Sequence, residues 1–321
     1  MEVDSTSGHE APAIERAEAL LQERGWRCLR IPVGSGRDNL LATSGEMPKV
    51  TLSTHLDTVP PFIPPRRDGG RLYGRGACDA KGIAAAMICA AERLRASGVS
   101  VALLFVVGEE TAHDGARAAN AHQTSSKILI NGEPTGSTLA TGTKGALRLT
   151  VRVSGRAAHS AYPDLGASAT HDLVHLLAEL DALDLPSDPL LGATTLNIGF
   201  VSGGVADNVL APAAEARLMA RLVSPEAEVR AILDDWARGR ATLEYGVMVP
   251  AVRLSVVPGF ETSVVAFATD IPALTSWGKP YLFGPGSIHQ AHTDDEFVDE
   301  QELVRAVDAY ELLAHEALAR L

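Results

Sequence analysis

Segments with the apolar composition of buried β-strands alternate with helix-like segments through the first part of the chain. The strand-like segments are "KVTLSTH", "VALLFVV" and "KILI", and the helix-like segments are "EAPAIERAEALLQERG", "DAKGIAAAMICAAERLRASG" and "HDGARAANAH". Strands that alternate with helices form a mainly parallel sheet covered by helices on both faces. The wholly apolar "VALLFVV" fits a central strand of that sheet. The pattern therefore predicts an α/β fold with a sheet sandwiched by helices.

The pattern changes near residue 143, where "GALRLTVRVSG" alternates apolar and polar residues as a half-exposed strand does. A helix ("SATHDLVHLLAELDAL"), two strands ("TTLNIGFVSGG", "EARLMARLV"), a helix ("SPEAEVRAILDDWARGR") and a strand ("TLEYGVMVPAVRLSV") follow. This β-α-β-β-α-β order is typical of a ferredoxin-like α+β domain. We therefore expect a small domain over residues 144–257, inserted into a larger one made of residues 1–143 and 258–321.

The larger domain is expected to resume with a helix through "VVAFATDIPAL", a strand at "KPYLFG" and a last helix, "DEQELVRAVDAYELLAHEALARL".

The chain has 321 residues, a formal net charge of -12 and no basic run, which argues against nucleic acids and anionic membrane surfaces as partners. No segment approaches the ~20 apolar residues of a membrane span. The polar N-terminus "MEVDSTSGHE" is unlike a secretory signal, and the three cysteines lack a disulfide-framework spacing, so we expect a cytoplasmic protein with reduced thiols.

Histidines and carboxylates follow the predicted strands of the larger domain. They are His55 and Asp57 after "KVTLST", Glu109 and Glu110 after "VALLFVVG", Glu133 after "KILING", His292 after "KPYLFGPGSIHQA", and Asp79 in the loop "GRGACDAKG". Loops at the carboxyl ends of parallel strands gather at one edge of the sheet, where ligand sites form. We therefore expect these side chains to converge. Each motif alone has an ordinary explanation, such as a solvated turn for "GEE", but their shared placement favours a site.

Imidazole and carboxylate ligands together suit zinc, cobalt or manganese. Five candidate ligands are too many for one tetrahedral ion with an open position, and they suit two ions ~3.5–4 Å apart that share a carboxylate and a water. The candidates are His55, Asp79, Glu110, Glu133 and His292, with Asp79 as the bridge. Glu109 is then expected to act as the general base. Asp57 is expected to orient the ring of His55.

The motifs "THLDTVPP", "GRGACDAKG", "GEE", "GEPTG", "KGALRLTVRVSGRAAHSAYP" and "GPGSIHQAHTDDEF" occur in the order found in a known family. In this respect the chain resembles the co-catalytic di-zinc amidohydrolases, which include aminoacylase, acetylornithine deacetylase, succinyl-diaminopimelate desuccinylase and carboxypeptidase G. The resemblance runs from "SGHE" at residue 7 to the last helix. It implies a zinc-exopeptidase-like fold, zinc as the metal, and the same five ligands and base. It also implies a cis peptide bond between Asp79 and Ala80.

The resemblance further implies that the small domain is a lid and a dimer surface. His159, in "GRAAHSAYP", matches a histidine that reaches the active site of the other subunit, and Asn208 and Arg221 match substrate-binding positions. Gly284 and Gly286, in "GPG", resemble a loop that binds a substrate carboxylate through backbone N–H groups. A strand-edge surface charge and a plain tight turn are the ordinary explanations of Arg221 and of "GPG". The sequence around Arg221 departs from the family pattern, which leaves the substrate open.

These features predict metal-dependent hydrolysis of an amide bond in an N-acyl amino acid, with water activated by two divalent ions and Glu109 as base. A dipeptidase or a carboxypeptidase using the same site is the alternative, because one site can cut both kinds of amide. A non-catalytic binding protein of the same fold would lack a ligand or the base, and all six residues are present. The expected partners are a small N-acyl amino acid or dipeptide and a second copy of the chain, bound through the lid domain.

Overall fold

The computed structural model describes residues 1–321, and in it the chain forms two compact units. The larger unit contains Met1–Thr141, Arg253–Val265 and Thr269–Leu321, and the smaller contains Gly142–Val252 and Ala266–Ala268. The domain limits given above, with residues 144–257 as the small domain, remain predictions beside these observed ranges.

The chain forms six α-helices, and none of them is both long enough and apolar enough to span a membrane. The helices are α1 (Ala11–Glu23), α2 (Lys81–Ala96), α3 (Asp114–Asn120), α4 (Ala169–Ala178), α5 (Glu226–Ala237) and α6 (Glu300–Leu318). The strands are β1 (Arg27–Gly34), β2 (Arg37–Thr43), β3 (Val50–His55), β4 (Arg66–Asp68), β5 (Arg71–Tyr73), β6 (Val101–Val106), β7 (Ile128–Asn131), β8 (Leu139–Thr143), β9 (Gly145–Ser154), β10 (Ser187–Asp188), β11 (Gly192–Ala193), β12 (Thr195–Gly203), β13 (Ala213–Leu222), β14 (Thr242–Val249), β15 (Val252–Arg253), β16 (Thr262–Val265), β17 (Lys279–Leu282) and β18 (Phe297–Asp299).

The larger unit is built on a six-stranded sheet with the order β1-β2-β6-β3-β7-β17. Strands β6, β3, β7 and β17 are parallel to their neighbours within this group, whereas β1 and β2 are antiparallel. The mainly parallel sheet and the central place of "VALLFV" are therefore confirmed. The antiparallel hairpin of β1 and β2 was not predicted. The parallel arrangement brings the carboxyl ends of β6, β3 and β7 to one edge.

Strand β6 shows why the sheet is covered on both faces, because all of its residues are buried. Leu103 and Phe105 pack in a core with residues of α1, α2 and α6. Ala102, Leu104 and Val106 point to the other face and pack in a second core with residues of α3 and with Trp277. Successive side chains of a strand point to opposite faces, so a strand that is apolar throughout requires two apolar layers.

The smaller unit has the order β9-α4-β12-β13-α5-β14, and its four strands form an antiparallel sheet in the order β12-β13-β9-β14. This is the predicted ferredoxin-like topology. Buried residues of β9 such as Leu147 and Val151 share one core with Leu173 of α4 and Leu233 of α5. Alternate residues of β9 are exposed, so the sheet has one covered and one open face.

Two predicted elements differ from the structure. The predicted helix through "VVAFATDIPAL" is wrong: this segment contains the end of β16 and a short 3-10 turn at Ile271–Ala273. The β-branched pair Val264 and Val265 favours a strand, and Pro272 has no N–H for a continuing helix. The single strand predicted over residues 242–256 is instead interrupted. Strand β14 ends at Val249, directly before Pro250, because proline cannot donate a ladder hydrogen bond, and the short strand β15 follows at Val252–Arg253.

Candidate metal centre

Three neighbouring parallel strands deliver most of the predicted ligands to one edge of the sheet. His55 is the last residue of β3, Glu133 follows β7, and Glu109 and Glu110 follow β6. Asp79 lies just before α2, and His292 lies in the loop between β17 and β18. The placement expected from the sequence is therefore present in the structure.

The carboxylate of Asp79 lies between the two histidines. His55 Nε2 is 2.9 Å from Asp79 Oδ1 and 3.8 Å from Glu133 Oε2. His292 Nε2 is 3.3 Å from Asp79 Oδ2 and 3.0 Å from Glu110 Oε1. Each oxygen of Asp79 thus faces a different imidazole, and each imidazole has a glutamate of its own. The structure brings together all five predicted ligands in two groups that share Asp79.

Burial and close charges shift the proton affinities of these groups. Burial alone would lower the pKa of His55, but the nearby carboxylates of Asp57 and Asp79, which accept from its ring, raise it well above its ordinary value. The carboxylates of Asp79 and Glu110 raise the pKa of His292 to about 10. Burial would raise the pKa of Asp79, but hydrogen bonds with the two histidines lower it. The imidazoles are therefore held in a strongly negative environment, which favours positive charge between these atoms.

The side chains present fit divalent metal ions. His55, Asp79 and Glu110 offer ligand atoms that lie within 4.8 Å of one another. Oε1 of Glu133 is buried and has no hydrogen-bond partner, so this carboxylate has a free donor atom. Burial and the charge of Asp79 raise the pKa of Glu133, because unpaired carboxylates are unfavourable away from water. Mixed imidazole nitrogen and carboxylate oxygen donors are those that zinc and similar ions use.

The ring of His55 is oriented to present Nε2 to this cluster. Its Nδ1 lies 3.0 Å from the backbone carbonyl oxygen of Asp57 and donates to it, because a carbonyl can only accept. In the neutral ring, Nε2 therefore carries the lone pair. The carboxylate of Asp57 is farther away, with Oδ1 at 3.5 Å from Nδ1. Asp57 thus orients His55 mainly through its backbone.

The carboxylate of Asp57 holds the turn that carries the two glutamates. Oδ1 accepts the backbone N–H of Glu109, and Oδ2 accepts that of Glu110, both at 3.2 Å. Ser7 Oγ donates to Oδ2 at 2.8 Å. This second task of Asp57 was not predicted, because the sequence does not show which backbone groups meet a side chain.

Glu109 lies beside a histidine–aspartate pair, His113 and Asp270, that no sequence motif indicates. Its Oε1 is 3.7 Å from Nδ1 of His113, and that nitrogen is 2.8 Å from Oδ1 of Asp270. Burial, followed by the charge of Glu133, raises the pKa of Glu109 well above its ordinary value. Asp270 lies in the segment that was predicted as a helix, which concealed its position. His113 and Asp270 are 157 residues apart, so sequence spacing gave no signal for this pair.

Gly108 allows the chain to turn directly before Glu109. Its φ is +76°, a value that side-chain-bearing residues rarely adopt, and a Cβ there would lie 2.0 Å from Asp114 Oδ1. Arg37 holds Asp114 at 2.7 Å and also pairs with the buried Glu10 at 2.8 Å. The backbone conformation and the closeness of Asp114 therefore require a glycine at the first position of "GEE".

The peptide bond between Asp79 and Ala80 is cis, as the resemblance implies.

In the smaller unit, His159 and Asn208 lie together while Arg221 lies elsewhere. The backbone N–H of Ser160 donates to the carbonyl of Asn208 at 2.9 Å, and His159 forms an isolated bridge with Val209. Arg221 pairs with Ala146 near the opposite end of the sheet. It is eight residues beyond the start of β13, or about 27 Å at about 3.4 Å per residue. Burial, followed by the charge of Arg148, lowers the pKa of Arg221.

The glycines of "GPG" use their N–H groups within the chain. Gly284 donates to Thr135 Oγ1 at 3.0 Å, and Gly286 donates to Glu302 Oε1 at 2.9 Å. A Cβ at Gly284 would lie 2.2 Å from the carbonyl oxygen of Glu133, so the close approach of two segments requires this glycine. Binding of a substrate carboxylate by these two N–H groups remains a prediction and requires them to exchange partners.

An α/β sandwich with imidazole and carboxylate groups gathered at its sheet edge defines a metal-dependent peptidase or amidohydrolase. The chain belongs to peptidase family M20/M25/M40, whose sequence profile matches residues 51–316.

The chain has relatives of similar sequence in fungi. It is 37% identical over 323 residues to a peptidase M20 domain-containing protein of Schizosaccharomyces pombe, a match that covers 97% of this chain and 81% of the relative. It is 38% identical over 365 residues to a probable carboxypeptidase of Aspergillus clavatus, with 99% of this chain and 81% of the relative covered.

Solved structures share the fold at lower sequence identity. A tripeptidase from Staphylococcus aureus matches with a TM-score of 0.81 and 20% identity, covering 100% of this chain and 96% of that one. The aminopeptidase PepT from Bacillus cereus matches with a TM-score of 0.79 and 21% identity, covering 98% and 95%. At these identities the matches establish the fold alone.

We predict that Asp57→Asn weakens metal binding by about 10- to 100-fold, the usual effect of removing a group that supports metal ligands. The substituted amide places a donor against the N–H of Glu109 or Glu110, so the turn that carries Glu110 loosens. Zinc affinity of the metal-free protein, measured by competition with a chelator, tests this. Asp38→Asn on β2, away from this turn, is the matched control and is expected to bind zinc like the wild type. Equal affinity in all three proteins would contradict the role assigned to the Asp57 carboxylate.

Proposed function

We propose that this chain is a two-metal peptidase that cleaves the amide bond next to the free C-terminal residue of a small peptide. The observation that carries the proposal is the carboxylate of Asp79, whose two oxygens face His55 and His292, each with its own glutamate. His55 and Glu133 would hold one ion, His292 and Glu110 the other, and Asp79 would bridge them. Zinc is the expected metal, with cobalt or manganese as alternatives.

Ions held there would increase the acidity of a bound water and polarise the substrate carbonyl. Glu109 accepts the proton of the attacking water and later transfers it to the leaving nitrogen. Its raised pKa suits a group that must both take and give a proton near neutral pH. The turn held by Asp57 keeps Glu109 beside Glu110 without making it a ligand. A donor from the smaller unit, His159, stabilises the negative charge that develops on the carbonyl oxygen.

The names of the relatives support a peptide substrate, since several of them are described as probable carboxypeptidases. Hydrolysis of N-acyl amino acids is the second candidate, and the motifs that resemble those of aminoacylase and the deacylases favour it. Both substrates present an amide bond next to a free carboxylate. Arg221, half-buried and without an ion-pair partner, suits that carboxylate.

A panel of matched substrates tests the proposed function. Purified protein loaded with zinc, cobalt or manganese is assayed with dipeptides and tripeptides, with the same peptides amidated at the C-terminus or acetylated at the N-terminus, and with N-acetyl and N-succinyl amino acids. We expect peptides with a free C-terminus to be cleaved, their amidated forms to be resistant, and N-acetylation of a tripeptide to be tolerated. A requirement for a free amino group would contradict the proposal. Cleavage of N-acyl amino acids alone would favour the second candidate.

The adjacent glutamates provide a sharp test of the division of roles. Glu109→Ala is expected to lose at least ~10²-fold in turnover, the low end of general acid–base catalysis, while still binding two metal ions per chain. Glu110→Ala is expected to lose metal as well, because it removes a ligand. Metal content after dialysis and turnover on the best substrate of the panel are the measurements. If the two variants lose metal to the same extent, Glu109 is not distinct from the ligands.

A homodimer is proposed because the substrate-binding candidates of the smaller unit lie at opposite ends of its sheet. A dipeptide is at most about 7 Å long at ~3.3–3.6 Å per residue, so it does not reach from Arg221 to His159 in the same copy. One site would therefore take these residues from different copies of the chain. Strand β12 is an edge strand and exposes Ile198, Phe200 and Val201, which makes it a candidate for pairing with a second copy.

Mixing two inactive variants tests the exchange of His159 between subunits. His159→Ala and Glu109→Ala are each expected to have low turnover. Mixed dimers contain one site with Glu109 from one chain and His159 from the other, so subunit exchange is expected to restore part of the activity. Differently tagged chains, captured together, verify the exchange. Lack of recovery in verified mixed dimers, or a monomer at the assay concentration, would reject the role in trans.

A further inference from the structure

A buried ion pair lies next to the candidate metal centre and has no part in the proposed chemistry. Arg75 Nη1 donates to Glu296 Oε2 at 2.7 Å, and the two side chains are 2% and 0% exposed. The two residues are 221 positions apart in the sequence. A charged pair removed from water to this degree is unfavourable unless its remaining hydrogen-bonding groups are satisfied. The partners of those groups show what the pair holds together.

Glu296 organises the turn that ends at Asp79. Its second oxygen, Oε1, accepts the backbone N–H groups of Gly76 and Cys78 at 3.0 Å and that of Asp79 at 3.1 Å. One carboxylate oxygen therefore collects three donors from the loop "GRGACDAKG". The position of the shared carboxylate in the metal centre depends on this arrangement, because Asp79 is itself one of the three.

Arg75 connects that turn to the loop of His292. Its Nη1 also donates to the carbonyl oxygen of Thr293 at 3.1 Å, and its Nε donates to that of Pro61 at 3.3 Å. Thr293 directly follows His292. The ion pair therefore joins two loops that are distant in sequence and that carry the two facing groups Asp79 Oδ2 and His292 Nε2.

The two halves of the metal centre differ in what supports them. His55 ends β3 and Glu133 follows β7, so strands of the central sheet position both residues. His292 lies in a loop, its side chain is 47% exposed, and its φ is +65°. The contacts of its ring nitrogen Nε2 are with two carboxylates, at 3.0 Å from Glu110 Oε1 and 3.3 Å from Asp79 Oδ2. The position of His292 therefore depends on loop contacts, whereas a strand of the central sheet sets the position of His55.

We propose that Arg75, held in place by its ion pair with Glu296, is a positioning residue for one of the two metal subsites. Through the carbonyl of Thr293, Arg75 holds His292 opposite Asp79, and it thereby sets the metal affinity of the His292–Glu110 subsite and not that of the His55–Glu133 subsite. This inference rests on the two-metal centre of the proposed function. It predicts that two metal ions bind in two steps, and that a substitution of Arg75 weakens only the step that belongs to the His292–Glu110 subsite.

The test is a zinc titration of metal-free wild type and of Arg75→Lys, in competition with chelators of graded affinity. Lysine keeps a positive charge beside Glu296, but its side chain is shorter and has one nitrogen, so it cannot keep the contacts of Nη1 with Glu296 and Thr293 together with that of Nε with Pro61. His292→Ala in parallel identifies the step that belongs to the His292 subsite. We expect Arg75→Lys to weaken that step by about 10- to 100-fold, as loss of ligand-supporting groups usually does, and to leave the other step within about twofold.

Two further variants separate positioning from general stability. Arg30→Lys alters an ion pair of the same unit, Arg30 with Glu18 at 2.6 Å, and is expected to leave both steps unchanged. If Arg75→Lys does not fold, the double variant Arg75→Gln with Glu296→Gln decides, because it leaves no unpaired buried charge. In this double variant, the amide oxygen at position 296 can still accept the N–H groups of the turn, but the hydrogen bond from Arg75 to the carbonyl of Thr293 is lost. The same selective loss of zinc affinity at the His292 subsite is therefore expected. Equal weakening of both steps, or no change in either, would overturn the proposal.

The outcomes also separate this inference from the proposed function. A wild type that binds two zinc ions but cleaves no substrate of the panel would reject the peptidase function, and the selective loss in Arg75→Lys would still support the positioning role. A wild type that binds a single zinc ion would overturn the inference, because it leaves no second subsite to position.

Discussion

The shared carboxylate of Asp79 is the interaction on which the rest of the site depends. Its oxygens lie 2.9 Å from one imidazole and 3.3 Å from the other, so both halves of the centre meet at one side chain. Such sharing requires that the histidines approach from opposite sides. His55 lies at the end of the central strand β3, and His292 lies in the loop that follows β17. The sheet supplies the first direction, and loop-to-loop contacts supply the second.

The larger unit contains other buried carboxylates near this centre, and three of them have donors of their own. Asp57 accepts two backbone N–H groups and a serine hydroxyl, and Glu296 accepts three backbone N–H groups and the guanidinium of Arg75. Asp270 has the ring of His113. In contrast, Glu133 keeps a buried oxygen without a partner. The negative charge left without donors is therefore concentrated where divalent ions fit, since buried carboxylates require a compensating charge or hydrogen bonds.

The smaller unit separates its substrate-binding candidates by the length of a strand. His159 and Asn208 lie on paired segments that precede β13 in the sequence, and Arg221 lies eight residues, or about 27 Å at about 3.4 Å per residue, beyond the start of that strand. Membership of peptidase family M20/M25/M40 accounts for the reaction class, whereas this separation bears on assembly. A dipeptide is at most about 7 Å long, so within one copy of the chain it spans only a small part of this separation, and this is the basis of the dimer proposed above.

By itself, the sequence determined the α/β class, the ferredoxin-like order of the smaller unit and the set of metal-binding candidates. Apolar periodicity identifies strands, and the carboxyl ends of parallel strands converge whatever the details of the loops. The sequence also suggested a helix over "VVAFATDIPAL", where β-branched residues and Pro272 instead form a strand end and a turn. Only the tertiary structure decided the partners of Asp57, Glu296 and Asp270. Those partners are backbone N–H groups and side chains brought close by loop conformation, and no periodic pattern encodes which of them will meet.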